Sequence, residues 1–226
     1  MSPSPFDGLS QESFTFLQEL EQNNNKEWFD AQRPRYQQYL LEPMCELVLA
    51  LSEEMLSIDP ELETRPAIGK TLSRIHRDIR FSKDKSPYRA SVWLTFKRPN
   101  KNWQDAPAFF FGISPSQAHY GMGLYAASRA TMDRFRDYLE EDPHTFLQQV
   151  IPQQSDRFSV GGDTYKKPLN PNLSAELQHW HARKTLFMHR FEPLSPPLFG
   201  PQLASTLQKD FLLLAPLYQL LWQIKM

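Results

Sequence analysis

The chain has 226 residues, 40% of them hydrophobic and 13% aromatic, with a formal net charge of −1. That apolar content supports a substantial core and excludes a disordered or fibrous chain, while the near-neutral charge argues against a large nucleic-acid footprint. The single Cys45 cannot form an internal disulfide and fits a reducing compartment.

The opening, MSPSPFDGLS, lacks the basic stretch and apolar run of a secretory signal. No apolar segment approaches the roughly 20 residues that span a bilayer, and the nearest, FLLLAPLYQLLW at 211–222, is interrupted by Pro216. A cytoplasmic protein without a membrane partner is expected. Nineteen prolines against eight glycines predict stiff connections.

Ser10 is placed to cap a first helix, with Leu9 and Phe14 as a hydrophobic staple and Phe14, Phe16, Leu17 and Leu20 facing inward. Asn23-Asn24-Asn25 reads as a helix stop followed by a new cap at Asn25. The second helix starts at Lys26, turns Trp28 and Phe29 inward, and is kinked or restarted at Pro34. A third begins near Pro43 and aligns Met44, Leu47, Val48, Leu51, Met55 and Ile58, with Cys45 as a small core residue, before stopping at Asp59-Pro60. The middle of the chain alternates. Val92, Leu94 and Phe96 mark a strand, and 106–113 and 118–125 flank a Ser-Pro-Ser turn as a hairpin. A helix follows over 131–141, and Asp142-Pro143 opens another through Val150. Gly161-Gly162-Asp163 reads as the turn of a second hairpin. Residues 173–181 suit a helix, 185–191 a strand, and a last helix starts after Pro201, with Pro216 beginning a final turn. Helices, an antiparallel sheet and further helices make an α+β fold with N-terminal and C-terminal helices packed on the sheet, read as one domain over residues 1–226.

Charge is unevenly distributed. Residues 1–65 carry four basic and thirteen acidic side chains, whereas residues 66–100 carry nine basic and two acidic. Within the latter, Lys70, Arg74, Arg77, Arg80, Lys83, Lys85 and Arg89 face only Asp78 and Asp84. Such a cluster is a candidate anion site, or it pairs with the acidic N-terminal segment. Ile68, Leu72, Ile75 and Ile79 fit a helical stripe. The bracketing Gly69 and the turn at 82–87 favour instead a strand over 74–81, with Ile75, Arg77, Ile79 and Phe81 on one face. There Arg77 needs a carboxylate or a bound anion, because an unpaired buried guanidinium is costly. Asp78 can position Arg80, and Pro87 stiffens the exit of the loop SKDKSPY. Arginine suits planar anions such as carboxylate and phosphate, and lysine adds a point charge.

Other signals are weaker. Gly121-Met-Gly123 lacks the third glycine of a dinucleotide fingerprint and reads as a bulge or a close backbone approach. His179, His181 and His189 lack the spacing of a zinc site. Trp103 beside Lys101 is a lone aromatic for base stacking. No nucleophile elbow or Walker lysine loop occurs. Neither a metal nor a cofactor is expected.

The residues Phe6-Asp-Gly8, Asn23 to Phe29, Arg74 to Tyr88, Gly121 to Tyr125 and Phe135-Arg136 resemble domain-of-unknown-function family 2461 over roughly residues 6–225. That resemblance implies a globular domain and transfers no catalytic residues.

The leading expectation is binding of a small phosphate- or carboxylate-bearing ligand. Arg74, Arg77, Arg80, Lys83 and Lys85 would supply charge, Asp78 and Tyr88 would orient them, and Arg136 would approach from a following helix. A hydrolase or transferase acting on such an anion, with Asp78, Asp84 or His76 handling protons, is the first alternative. A nucleic-acid or protein interaction module is the second.

Overall fold

A computed structural model describes residues 6–80, 83–151 and 157–225. Helix α1 (Gln11–Gln22) starts at Ser10, whose hydroxyl accepts the Ser13 N–H while Ser13 Oγ accepts the Ser10 N–H. Serine thus closes a capping box that usually ends in Glu or Gln. Asn23 ends this helix, and Asn25 caps α2 (Lys26–Tyr36) by accepting the Trp28 N–H at 2.9 Å. Phe29 is buried, and Trp28 only partly so.

The chain runs helically through Pro34, and the disturbance follows the proline. The Gln37 N–H is shared between the carbonyls of Arg33 and Pro34, and residues Gln37–Leu41 widen into a π turn before α3 (Glu42–Ile58). Pro43 is four residues beyond Tyr39 and has no N–H to give its carbonyl. Ser13 Oγ donates to Tyr39 O at 2.6 Å instead. The predicted face of α3 is buried at Met44, Leu47, Val48, Leu51 and Met55.

Strands β1 (Val92–Phe96), β2 (Pro107–Ile113), β3 (Gln117–Leu124), β4 (Ser159–Gly161) and β5 (Phe187–Pro193) form one antiparallel sheet in the order β1-β2-β3-β5-β4. The α+β class expected from the sequence is therefore present. Helices α4 (Arg129–Glu141), a single turn α5 (Pro143–Thr145) widening into a π turn to Val150, and α6 (Ala175–His181) lie between β3 and β5 in sequence. Helix α7 (Gln202–Gln223) passes through Pro216 rather than restarting there. Its Phe211 and Tyr218 meet Phe109 of β2, with ring centroids 5.3 and 4.8 Å apart.

Two further expectations are corrected. Gly161-Gly162-Asp163 is not a hairpin turn: β4 pairs with β5 through Ser159↔His189, Val160↔Met188 and Gly161↔Phe187. Gly162 adopts φ +111°, and a Cβ there would lie 2.0 Å from Thr185 O, so the glycine admits a returning backbone instead of reversing the chain. Gly121 and Gly123 meet Met188 and Phe187 just as closely, in keeping with the close-approach reading.

The second correction concerns the strand expected over 74–81: its described part, residues 74–80, forms neither a continuous strand nor a helix. They belong to an irregular arm held by isolated bridges, Leu72↔Leu94 and His76↔Tyr88. The Arg77 N–H donates to Pro87 O and the Arg89 N–H to Ile75 O, at 2.9 and 2.8 Å. The next rung of this ladder would run from residue 87 to Arg77 O, but Pro87 has no N–H, and the rung beyond it would use Ile79 O, which accepts from Lys85 Nζ at 2.9 Å instead. The Ser86 N–H, on the outer side of the ladder, donates to Asp84 Oδ1 at 2.9 Å. Asp78 Oδ1 likewise takes the Arg80 N–H. Short acidic side chains thus fold the loop locally, while the proline and the Lys85 ammonium interrupt the ladder. Phe81 and Ser82, included in the predicted strand and loop, lie outside the described residues.

Contacts divide the chain into two compact units. The first comprises residues 1–96, 110–120 and 191–209, and the second residues 97–109, 121–190 and 210–226. Phe14, Phe16, Leu17, Phe29, Leu47 and Leu94 are among the core of the first, and Phe109, Phe135, Phe146, Leu186 and Phe211 among that of the second.

Candidate functional site

The basic arm belongs to the first unit and rests on helix α2. Tyr88 is buried, and its ring stacks on Phe29 with centroids 4.2 Å apart and planes 19° from parallel. The exposed His76 flanks Tyr88 at 5.1 Å. Asn24 fixes the same point from the backbone side. Its amide donates to Tyr88 O at 2.9 Å and its carbonyl accepts the Tyr88 N–H at 3.0 Å. Sequence reading assigned Asn24 only to a helix stop. Nothing local distinguishes it from its two neighbours, because the partner is 64 residues away. An arginine of the arm comes near Tyr88 at its carbonyl and not at its phenol.

That arginine is Arg77. Its side chain is 28% exposed, and Nη2 lies 3.1 Å from Asp84 Oδ2 and 3.5 Å from Tyr88 O. Its Nε is buried and has no hydrogen-bond partner among the described residues. Asp84 is held in place by Ser86, whose N–H and Oγ donate to Oδ1 at 2.9 and 2.7 Å. Those bonds, more than the neighbouring Arg77, lower the pKa of Asp84 below the usual aspartate value.

Asp78 and Arg80 form a second pair, a two-pronged contact at 2.9 and 2.7 Å on the exposed side of the arm. The guanidinium and the Arg80 N–H together hold the Asp78 pKa at about 2, with a further contribution from the charge of Arg89. Lys85 turns back to donate to Ile79 O at 2.9 Å. Arg74, Lys83 and Arg89 are exposed and make no ion pair among the described residues. Some acids of the N-terminal segment pair with arginines of that same segment. Glu12 and Glu19 bind Arg35, and Glu63 binds Arg65.

The structure thus joins Arg77, Asp84 and Tyr88 in one cluster and Asp78 with Arg80 in another, with Arg74, Lys83 and Lys85 on the same arm. Arg136 belongs to the second unit. It is buried, and its donors reach His181 O at 2.9 Å, Arg183 O at 2.6 Å and Asp133 Oδ1 at 2.6 Å. A guanidinium so committed fastens backbone, and its expected approach to the ligand has no support in these contacts. Among the described residues, no group of three or more His, Cys, Asp or Glu is placed to hold a metal ion.

These features sit inside a recognised sequence family. The chain belongs to the conserved hypothetical protein family DUF2461. The family model matches residues 12–220, which include the whole arm, Asn24, Phe29 and Arg136. No curated protein matches the sequence. No helix among the described residues is long and apolar enough to cross a membrane.

Proposed function

We propose that the arm from Arg74 to Arg89 binds a small anion bearing a phosphate or carboxylate group, with Arg77 at its centre. The supporting observation is the state of Arg77. A partly buried guanidinium has five N–H donors, yet among the described residues one carboxylate contact and one long carbonyl contact engage a single Nη, and the buried Nε has no partner. Buried polar donors ordinarily find acceptors, and a planar oxyanion can take Nε and Nη together. Arg74, Lys83 and Arg89 supply unpaired positive charge along the arm, while Asn24 and the Phe29 stack hold it in shape before a ligand arrives.

Binding is favoured over proton-transfer chemistry because Asp78, with a pKa of about 2, is a weak base. The ligand test is thermal unfolding in phosphate or sulfate, with chloride at matched ionic strength. A ligand at about 100 times its Kd stabilises a protein by about 2.7 kcal/mol. The expected result is a rise in Tm with the oxyanions that Arg77→Ala abolishes and Arg77→Lys reduces. Lys85→Ala should matter less, because that ammonium already serves Ile79 O. A rise that persists in Arg77→Ala, or that chloride reproduces, overturns the assignment.

A further inference from the structure

The second unit carries an aromatic and basic cluster unrelated to the arm. Lys97 Nζ lies 3.4 Å from the centroid of the Trp103 ring, a close cation–π contact. The Trp103 ring lies 5.4 Å from that of Tyr125, and Tyr125 is 74% exposed. Arg98 lies over Trp222, its Cζ 4.3 Å from the ring centroid. The sequence alone offered Trp103 as a solitary aromatic. Folding brings Tyr125 to it from the far end of β3.

Three features point to a ligand. Lys97 is half-buried with no carboxylate partner among the described residues, and burial lowers its pKa below the usual lysine value. An ammonium that has lost water without gaining a counter-ion favours an incoming anion. Tyr125 presents an open ring on a rigid base: the Ala126 N–H donates to Gln104 O at 2.7 Å, and the Ser128 N–H to Asp105 Oδ1 at 2.6 Å. The nearby carboxylate of Asp105 is already occupied by Lys225 at 3.0 Å and Thr131 at 2.9 Å, so it opposes an anion less.

We propose that Tyr125, Trp103 and Lys97 form a nucleotide site, with the base stacked on Tyr125 and the phosphate drawn by Lys97. Aromatic rings take any base face, and nearby cations follow the phosphate. The same chemistry is met by a free mononucleotide or by one nucleotide of a single strand.

Titration calorimetry of the full chain distinguishes these sources. The probes are adenosine monophosphate, adenosine, ribose 5-phosphate and a ten-residue oligothymidylate. The monophosphate should bind more tightly than adenosine or ribose phosphate. If the source is a strand, the oligonucleotide binds more tightly than the monophosphate. Tyr125→Ala, at an exposed position, should weaken whichever ligand binds by about fivefold or more, the lower range for loss of a base–aromatic stack. Lys97→Met keeps the apolar stem, removes the charge and should also weaken binding. Because the arm is itself proposed to take phosphate, every titration is made with the full chain carrying Arg77→Ala, so that what is read belongs to this site and its failure is distinct from failure of the arm. Absence of binding by both nucleotide probes overturns the proposal, as does unchanged affinity in Tyr125→Ala.

Discussion

Asn24 acts on Tyr88 as a neighbouring strand would, offering one donor and one acceptor to the same residue. Tyr88 in turn carries the Phe29 stack and supplies the carbonyl that faces Arg77. Asn24→Ala removes both bonds and leaves a largely buried peptide group underserved, at about 1–3 kcal/mol. Urea unfolding should show that loss, and the oxyanion affinity of the arm should fall with it. A change within about 0.5 kcal/mol, the ordinary range for surface substitutions, means that the clamp is idle. Arg136 illustrates the opposite case. The sequence offers it as a ligand contact from the helix after the sheet, whereas three internal acceptors and the burial of the side chain make it a fastener of the 181–183 backbone.

At the scale of elements, legibility follows the range of the deciding bonds. The Ser10 and Asn25 caps, the α3 stripe and the alternation of β1 rest on residues within a few positions of each other, and all are visible in the sequence. The arm is not a continuous strand because Pro87 lacks the N–H that Arg77 O would need and Lys85 Nζ takes Ile79 O, neither of which the alternation of Ile75, Arg77 and Ile79 reveals. The partner of β4 was misread because two glycines serve equally as a turn or as a place of close approach. The π turn between Pro34 and Pro43 has a similar logic. Each proline withholds one N–H from the helix, and Ser13 from another helix repairs the Tyr39 carbonyl. Ser13→Ala removes that repair together with half of the capping box. It should destabilise the fold by about 1–3 kcal/mol in denaturant unfolding, whereas Ser13→Thr, which keeps the hydroxyl, should recover part of the loss. Equal loss in both variants would trace the effect to packing around this fully buried position instead of to the hydrogen bond.

For the molecule as a whole, the pH dependence of stability follows from which groups titrate differently in the folded chain. His179 and His189 have pKa values lowered from 6.5, first by burial and then by the charge of Arg183. His179 Nε2 sits 3.0 Å from Arg183 Nη2, so the neutral ring accepts from the guanidinium. A histidine with a lowered pKa is protonated more readily in the unfolded chain. Its favourable contribution is therefore complete above about pH 6.5 and declines as pH falls towards the folded pKa. The carboxylates act in a lower window. Asp78 and Glu63 are each lowered to about 2, by Arg80 and Arg65, and Asp105 and Glu19 are lowered as well. Their contribution is present above the unfolded values of 3.8 and 4.5 and is lost as pH falls through the folded ones. Glu46, raised by burial and by Asp7 and Glu42, works in the reverse sense. Unfolding free energy should thus decline in two stages, the first beginning below about pH 6.5 and the second below about pH 4.5. Denaturant melts at half-unit pH steps resolve them. Replacing both histidines with glutamine should flatten the first stage and leave the second in place. A first stage that survives this double substitution would assign the decline to other groups.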